Sequence, residues 1–176
     1  MPAMNKPNPN AETLEQMLRV DHAGEYGANR IYEGQLMVLK NSPLRGEIEH
    51  MLHQEQEHLK KFNELLVKNH VRPSALMPLW HVAGVGLGVI SGLLGEKAAM
   101  AATVAVESVI DEHYAQQLHQ IDNPELKATI SKFRDEEIEH KNKGLEHGAQ
   151  DMKGYDVFTK IIKIGATASI WLAKRF

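Results

Sequence analysis

The sequence predicts an all-α protein: a four-helix bundle with an internal pseudo-twofold repeat, carrying additional apolar helices on its flank. Three observations lead there. Long proline-free stretches are separated by short Pro/Asn turns. No stretch sustains the period-two alternation of a half-buried strand. And a set of chemistry-bearing residues recurs at a fixed interval of 82 positions, so that one half of the chain repeats the other.

The elements follow in order. Residues 1–10 hold three Pro and three Asn, with neither the apolar run of a signal peptide nor the Arg-rich character of a transit peptide, and read as a short flexible tail. Residues 11–176 are expected to form one domain, with repeat halves at about 11–70 and 96–150. Residues 11–40 read as one long helix despite Gly24, Gly27 and Gly34, closed by the turn Asn41-Ser42-Pro43. A second helix runs from Leu44 to about His70, where Arg72-Pro73-Ser74 breaks it. Residues 73–95 carry no formal charge, His81 being their one ionisable group. Helices then follow over 96–121, closed by Asp122-Asn123-Pro124, over 125–150, and over 154–176, the last one amphipathic.

A chain of 176 residues, 43% apolar and 24% charged, is long enough to bury a substantial core. Its net charge of −3 provides no basic field for nucleic acid. With no cysteine, disulfides, thiolate metal sites, iron–sulfur clusters and cysteine nucleophiles are all excluded.

The repeat pairs Glu25 with Glu107, Glu55 with Glu137 and His58 with His140, and extends to Tyr32/Tyr114 and Gln35-Leu36/Gln117-Leu118. In each half a lone Glu precedes a Glu-x-x-His by 30 residues, with a Pro turn near the middle of the interval. At about 1.5 Å of rise per residue, a helix that runs on, turns and returns brings the two motifs to the same height on neighbouring helices. Residues i and i+3 share a helix face, so Glu55/His58 and Glu137/His140 point inward together. Four buried carboxylates without cations would be prohibitively costly; two divalent metals neutralise them. One Glu from each of two helices plus Glu-x-x-His from each of the other two is the dinuclear pattern of ferritin-like bundles. A mixed oxygen/nitrogen donor set suits iron or manganese. Chance placement of the Glu and His residues would give about one Glu-x-x-His, so the unmatched Glu47/His50 reads as a solvated face. Glu57 and Glu139 fall on the far side of their helices and are expected to be exposed.

The stretches "LRVDHAGEYGANRIYEGQ" (18–35), "EHLKKFNELLVKNHVRPSALMPLW" (57–80), "TVAVESVIDEHY" (103–114) and "KFRDEEIEH" (132–140) resemble the demethoxyubiquinone hydroxylases of ubiquinone biosynthesis, the Coq7/CLK-1 family. The likeness runs from about Leu18 to the C-terminus. It implies a ferritin-like, membrane-associated di-iron monooxygenase whose ligands fall on Glu25, Glu55, His58, Glu107, Glu137 and His140. It implies two iron ions, O2 as co-substrate, electrons ultimately from NADH, and hydroxylation of the ring of a polyprenylated demethoxy-ubiquinol. Implied partners are the quinol, a membrane lipid surface and a member of a ubiquinone-biosynthesis complex; homo-oligomerisation is left open. The implied location is peripheral, on the cytoplasmic face of a bacterial inner membrane or, with a leader removed, the matrix face of the mitochondrial one. A ferritin-like ferroxidase is the alternative on the same bundle.

A buried core helix and an interfacial helix both fit 73–95. The expectation is the interfacial one, its apolar side meeting lipid and Trp80 near the headgroups. The segment 157–176 repeats the theme with Trp171 and flanking Lys and Arg. Tyr114 and His113 are candidate catalytic residues, lining the quinone path or supplying a proton or electron, although symmetric packing also explains the Tyr32/Tyr114 match. Asn29 and Asp111, also 82 apart, are candidates to hold the ligand imidazoles, with helix-surface polarity as the alternative. Asp21-His22 are expected at a helix start or behind the ligands rather than on a metal.

Overall fold

A computed structural model describes residues 13–176, which leaves the expected tail at 1–10 outside the described residues. Every regular element among these is helical: α1 (Leu14–Val38), α2 (Arg45–Lys68), α3 (Met77–Leu93), α4 (Glu96–Leu118), α5 (Pro124–Glu146) and α6 (Tyr155–Ala173), with a single 3-10 turn at Ala149–Asp151. Local chemistry sets the ends. Thr13 caps α1 through a reciprocal box with Gln16, each side chain meeting the other's backbone N–H. Asn123 accepts from the Leu126 N–H, and Pro124 starts α5, where a missing donor costs nothing. The helix expected to reach Gln150 stops at Glu146, because Gly148 turns left-handed at φ 79°.

α1 and α2 form one hairpin, α4 and α5 the other, and α3 and α6 pack along α1 and α4 respectively. Shifting α3 by the repeat interval gives 159–175, which overlaps α6, so the unit repeated is three helices rather than two. α3 lies close on α1 because its facing residues are Gly84, Gly88 and Gly92. A Cβ at Gly88 would overlap the Ile31 carbonyl oxygen and sit 2.9 Å from Gly34 Cα; one at Gly84 would sit 2.7 Å from Arg30 Cβ. Side chains this small let two helix backbones touch.

Trp80 corrects the expectation placed on it. The ring is buried against Val20, Ala23 and Ala173, and its N–H donates to Ser74 Oγ at 3.3 Å. The glycine face draws α3 onto the bundle and takes Trp80 with it, leaving Leu79, Val82, Ile90 and Leu93 exposed instead. Trp171 is half exposed, with the Arg175 guanidinium 3.7 Å from its ring centroid. Among the described residues, no helix is long and apolar enough to cross a membrane.

Two apolar layers close the ends of the bundle. One gathers Leu39, Leu44, Ile48, Met51, Met100 and Val104; the other Met17, Leu18, Phe62, Leu66, Ile130 and Phe133. Between them lies a fully buried polar layer.

Candidate metal centre

α1 supplies Glu25, α2 Glu55 and His58, α4 Glu107, and α5 Glu137 and His140, all buried. They fall into two overlapping groups. Ligand atoms of Glu25, Glu55, His58 and Glu137 lie within 4.8 Å of one another, and so do those of Glu55, Glu107, Glu137 and His140. Glu55 and Glu137 belong to both. His58 Nδ1 lies 3.9 Å from Glu55 Oε2 and 3.2 Å from Glu137 Oε1, while His140 Nδ1 lies 3.1 Å from Glu55 Oε1 and 3.4 Å from Glu137 Oε2. Each shared carboxylate therefore sends one oxygen toward each imidazole, so that it could reach an ion beside either one.

Both oxygens of Glu55 and of Glu137, Oε2 of Glu25 and of Glu107, and Nδ1 of each imidazole are buried without a hydrogen-bond partner. Orphaned polar atoms are costly and uncommon in protein interiors. Here they are the very atoms that face the common centre. Divalent cations fit this donor set, since they would satisfy every one of these atoms and neutralise the four carboxylates.

The remaining atoms of the same side chains are occupied. Tyr32 donates to Glu107 Oε1 at 2.6 Å, and Tyr114 donates to Glu25 Oε1, so each tyrosine holds the lone glutamate of the opposite half. Burial first, and then the adjacent carboxylates, push both phenols well above their ordinary range, so they remain protonated donors. His58 Nε2 meets Glu136 Oε2 at 2.8 Å, and His140 Nε2 meets Gln54 Oε1 at 2.9 Å. These acceptors fix the proton on Nε2 and leave Nδ1 free for a metal.

Without cations the layer is electrostatically frustrated. Burial and neighbouring carboxylates drive Glu55 well above the carboxylate range, and burial and Glu137 do the same to Glu107. Burial opposes charge on His58, but Glu25, Glu137 and Glu55 outweigh it and push the imidazole up to about 12. His140 is raised in the same way by Glu137 and Glu107 against the effect of burial. Glu137 alone goes down, to about 2, because the two imidazoles facing it, His140 first and then His58, overcome its burial.

Asn29 and Asp111 do not hold the imidazoles. Asn29 Nδ2 donates to the backbone oxygens of Glu25 (2.8 Å) and Glu55 (2.9 Å), and Asp111 accepts from Arg134 (2.8 Å) and Lys141 (2.9 Å). Each fastens the lone-Glu helix of its hairpin to the Glu-x-x-His helix. Gln35 and Gln117 tie the halves together, to the Ala99 carbonyl (3.0 Å) and to Asp21 (2.8 Å). Asp21 also stands 3.3 Å from His113 Nε2, and His22 meets Asn63 at 3.1 Å, so neither Asp21 nor His22 is among the six. Sequence reasoning missed Gln54 and Glu136. They immediately precede Glu55 and Glu137 and lie 82 residues apart, but their partners are on the opposite helix, which spacing along one helix cannot reveal. Glu57, Glu139 and His50 are exposed, as expected.

Beside the polar layer, α1, α3, α4 and α6 enclose an apolar cleft of about 360 Å³. Gly24 and Val106, the neighbours of Glu25 and Glu107, lie in its wall with Ile31, Leu87, Ile110 and Ile162. Neither Tyr114 nor His113 lines it.

Residues 12–173 match the family described as "Ubiquinone biosynthesis protein COQ7". The chain is 52% identical over 169 residues to the "NADPH-dependent 3-demethoxyubiquinone 3-hydroxylase, mitochondrial" of Dictyostelium discoideum, covering 93% of this chain and 78% of that one. It is 48% identical over 179 residues to the protein of the same description in Rattus norvegicus, covering 98% and 82%. It is also 48% identical over 172 residues to the "3-demethoxyubiquinol 3-hydroxylase" of Rhodospirillum rubrum, covering 96% and 81%. With a match that runs almost from end to end, the chain belongs to the COQ7 family of ubiquinone-biosynthesis proteins.

Proposed function

We propose that this protein is an O2-dependent hydroxylase acting on the ring of demethoxyubiquinol, with two irons held by Glu25, Glu55, His58, Glu107, Glu137 and His140. The observation that carries the reading is the set of orphaned donor atoms converging on one buried layer beside an apolar cleft. Two irons held there would supply the O2 activation that ring hydroxylation needs, with two electrons and two protons from the reductant taking the second oxygen atom to water. Glu55 and Glu137, common to both groups, would help to hold both ions, while Glu25 and Glu107 would each offer the oxygen left free by the tyrosine on Oε1. Because Tyr114 keeps its proton, it serves as a donor that orients Glu25 rather than as a base. His113, paired with Asp21, stands one contact farther out.

The cleft takes the quinol. Its walls are apolar, its size falls in the range of small-molecule sites, and its inner wall adjoins Glu25 and Glu107. A polyprenyl tail leaves between α3 and α6, whose outer faces expose Leu79, Val82, Ile161, Ile164 and Trp171. We place these faces against the lipid surface, with Lys160, Lys163 and Arg175 reaching anionic headgroups. The names of two of these relatives specify NADPH, where the sequence reading expected NADH; a reduced nicotinamide is the electron source in either case. A ferroxidase would use the same six residues but gives the cleft no role. The test is a single turnover of the di-iron protein with a short-tailed demethoxyquinol under 18O2. A ring product carrying one 18O supports the proposal; iron oxidation with the quinol unchanged overturns it in favour of the ferroxidase.

A further inference from the structure

The repeat makes the two metal positions near-copies: lone glutamates, Glu-x-x-His motifs, tyrosines and glutamines all pair by type across the interval. It breaks directly behind the imidazoles. Positions 54 and 136 correspond, yet one is glutamine and the other glutamate. His58 Nε2–H donates to the Glu136 carboxylate at 2.8 Å, whereas His140 Nε2–H donates to the neutral Gln54 amide oxygen at 2.9 Å. A carboxylate behind an imidazole N–H draws the proton outward and makes the other ring nitrogen a stronger donor, while an amide does so much less. The outer oxygen of Glu136 faces Lys132 Nζ at 3.4 Å, but that ammonium is largely exposed and screened. Glu136 Oε2 is left to His58.

Building on the metal-centre reading above, we propose that Glu136 makes the two metal positions unequal. The position formed by Glu25, Glu55, His58 and Glu137 binds its ion more tightly and fills first; the one formed by Glu55, Glu107, Glu137 and His140 fills second. Glu136 is a positioning residue, acting on the metal through His58.

The test uses the full chain freed of metal and titrated anaerobically with Co(II) alone, followed by visible absorption and by competition with a chromophoric chelator. Wild type should take up two equivalents in two steps, separated roughly tenfold in affinity, the lower end of what an imidazole's outer partner contributes. Glu136→Gln should weaken the first step until the two merge, with two equivalents still bound. Gln54→Glu should tighten the second step and also merge them. The exchanged double variant, E136Q with Q54E, should restore the separation; mere damage to packing would not. Two equal steps in wild type, or an unchanged gap in Glu136→Gln, overturns the inequality while leaving the metal centre intact. Failure of wild type to bind two equivalents refutes the metal-centre reading itself.

Discussion

Gly86 and Gly88, two residues apart on α3, should respond to the same substitution with opposite signs. At Gly86 a Cβ meets nothing within 4 Å, so Gly86→Ala gains only helix propensity, about 0.5–1 kcal/mol. At Gly88 the Cβ overlaps the Ile31 carbonyl oxygen and comes within 2.9 Å of Gly34 Cα, so the obstacles are backbone and cannot rotate aside. α3 must then lift off α1 by about 1 Å, loosening the contacts of Gly84 and Gly92 as well. Overpacking of this kind costs roughly 1–3 kcal/mol. With every α3 contact on this stripe affected, we take the upper end, about 3 kcal/mol; subtracting the propensity gain leaves Gly88→Ala about 2 kcal/mol less stable. For a chain of this length that is a fall in Tm of roughly 4–8 °C, against a rise of a few degrees for Gly86→Ala. Thermal unfolding of both variants, metal-loaded and at one protein concentration, decides it. Because α3 walls the cleft, Gly88→Ala should also raise KM for the quinol. Equal Tm shifts for the two variants would refute the close approach of α3 to α1.

Three further outcomes follow from the site and its surface. Tyr114→Phe and Tyr32→Phe each free a lone glutamate's Oε1, and each should lower metal affinity by roughly tenfold in chelator competition; loss of turnover at full metal occupancy in Tyr114→Phe would instead assign that phenol to the chemistry. In the metal-free protein Glu55, Glu107, His58 and His140 all have folded pKa values above their ordinary ones, so the stability they contribute is present at low pH and is lost as pH rises through the folded values; Glu137, held at about 2, adds a contribution that persists above its ordinary pKa and is lost only as pH falls toward 2. Between about pH 5.5 and 8 the metal-free Tm should therefore fall while metal affinity climbs and binding releases protons; a flat metal-free Tm with no proton release contradicts the buried layer. Trp171→Ala should leave the unfolding free energy within about 0.5 kcal/mol of wild type yet weaken binding to anionic vesicles by roughly tenfold, and vesicles should shift the fluorescence of Trp171 and not of buried Trp80.

The convergence of the six residues was legible because residue type, spacing and register agree between two halves of the chain, a pattern written twice. The third repeated helix was not legible. α3 and α6 share no ligand chemistry, and apolar packing accepts Trp80 in one copy and Ile162 in the other. Read singly, the glycines of α3 hid their main use: three of them, spaced by four, form one face against α1. That face is what buries Trp80. Asn29 and Asp111 showed their kinship in the repeat and not their task, because their partners, a backbone carbonyl on α2 and cations on α5, lie across the hairpin.

The most direct test of the central claim is the metal content of the purified chain after anaerobic reconstitution with ferrous iron, taken alongside Glu137→Ala. The orphaned, doubly shared carboxylates predict two irons per chain in the native sequence, and loss of both positions when the bridge is removed, with helical content by circular dichroism retained. One iron per chain or none in the native sequence, or two irons in Glu137→Ala, would contradict the account.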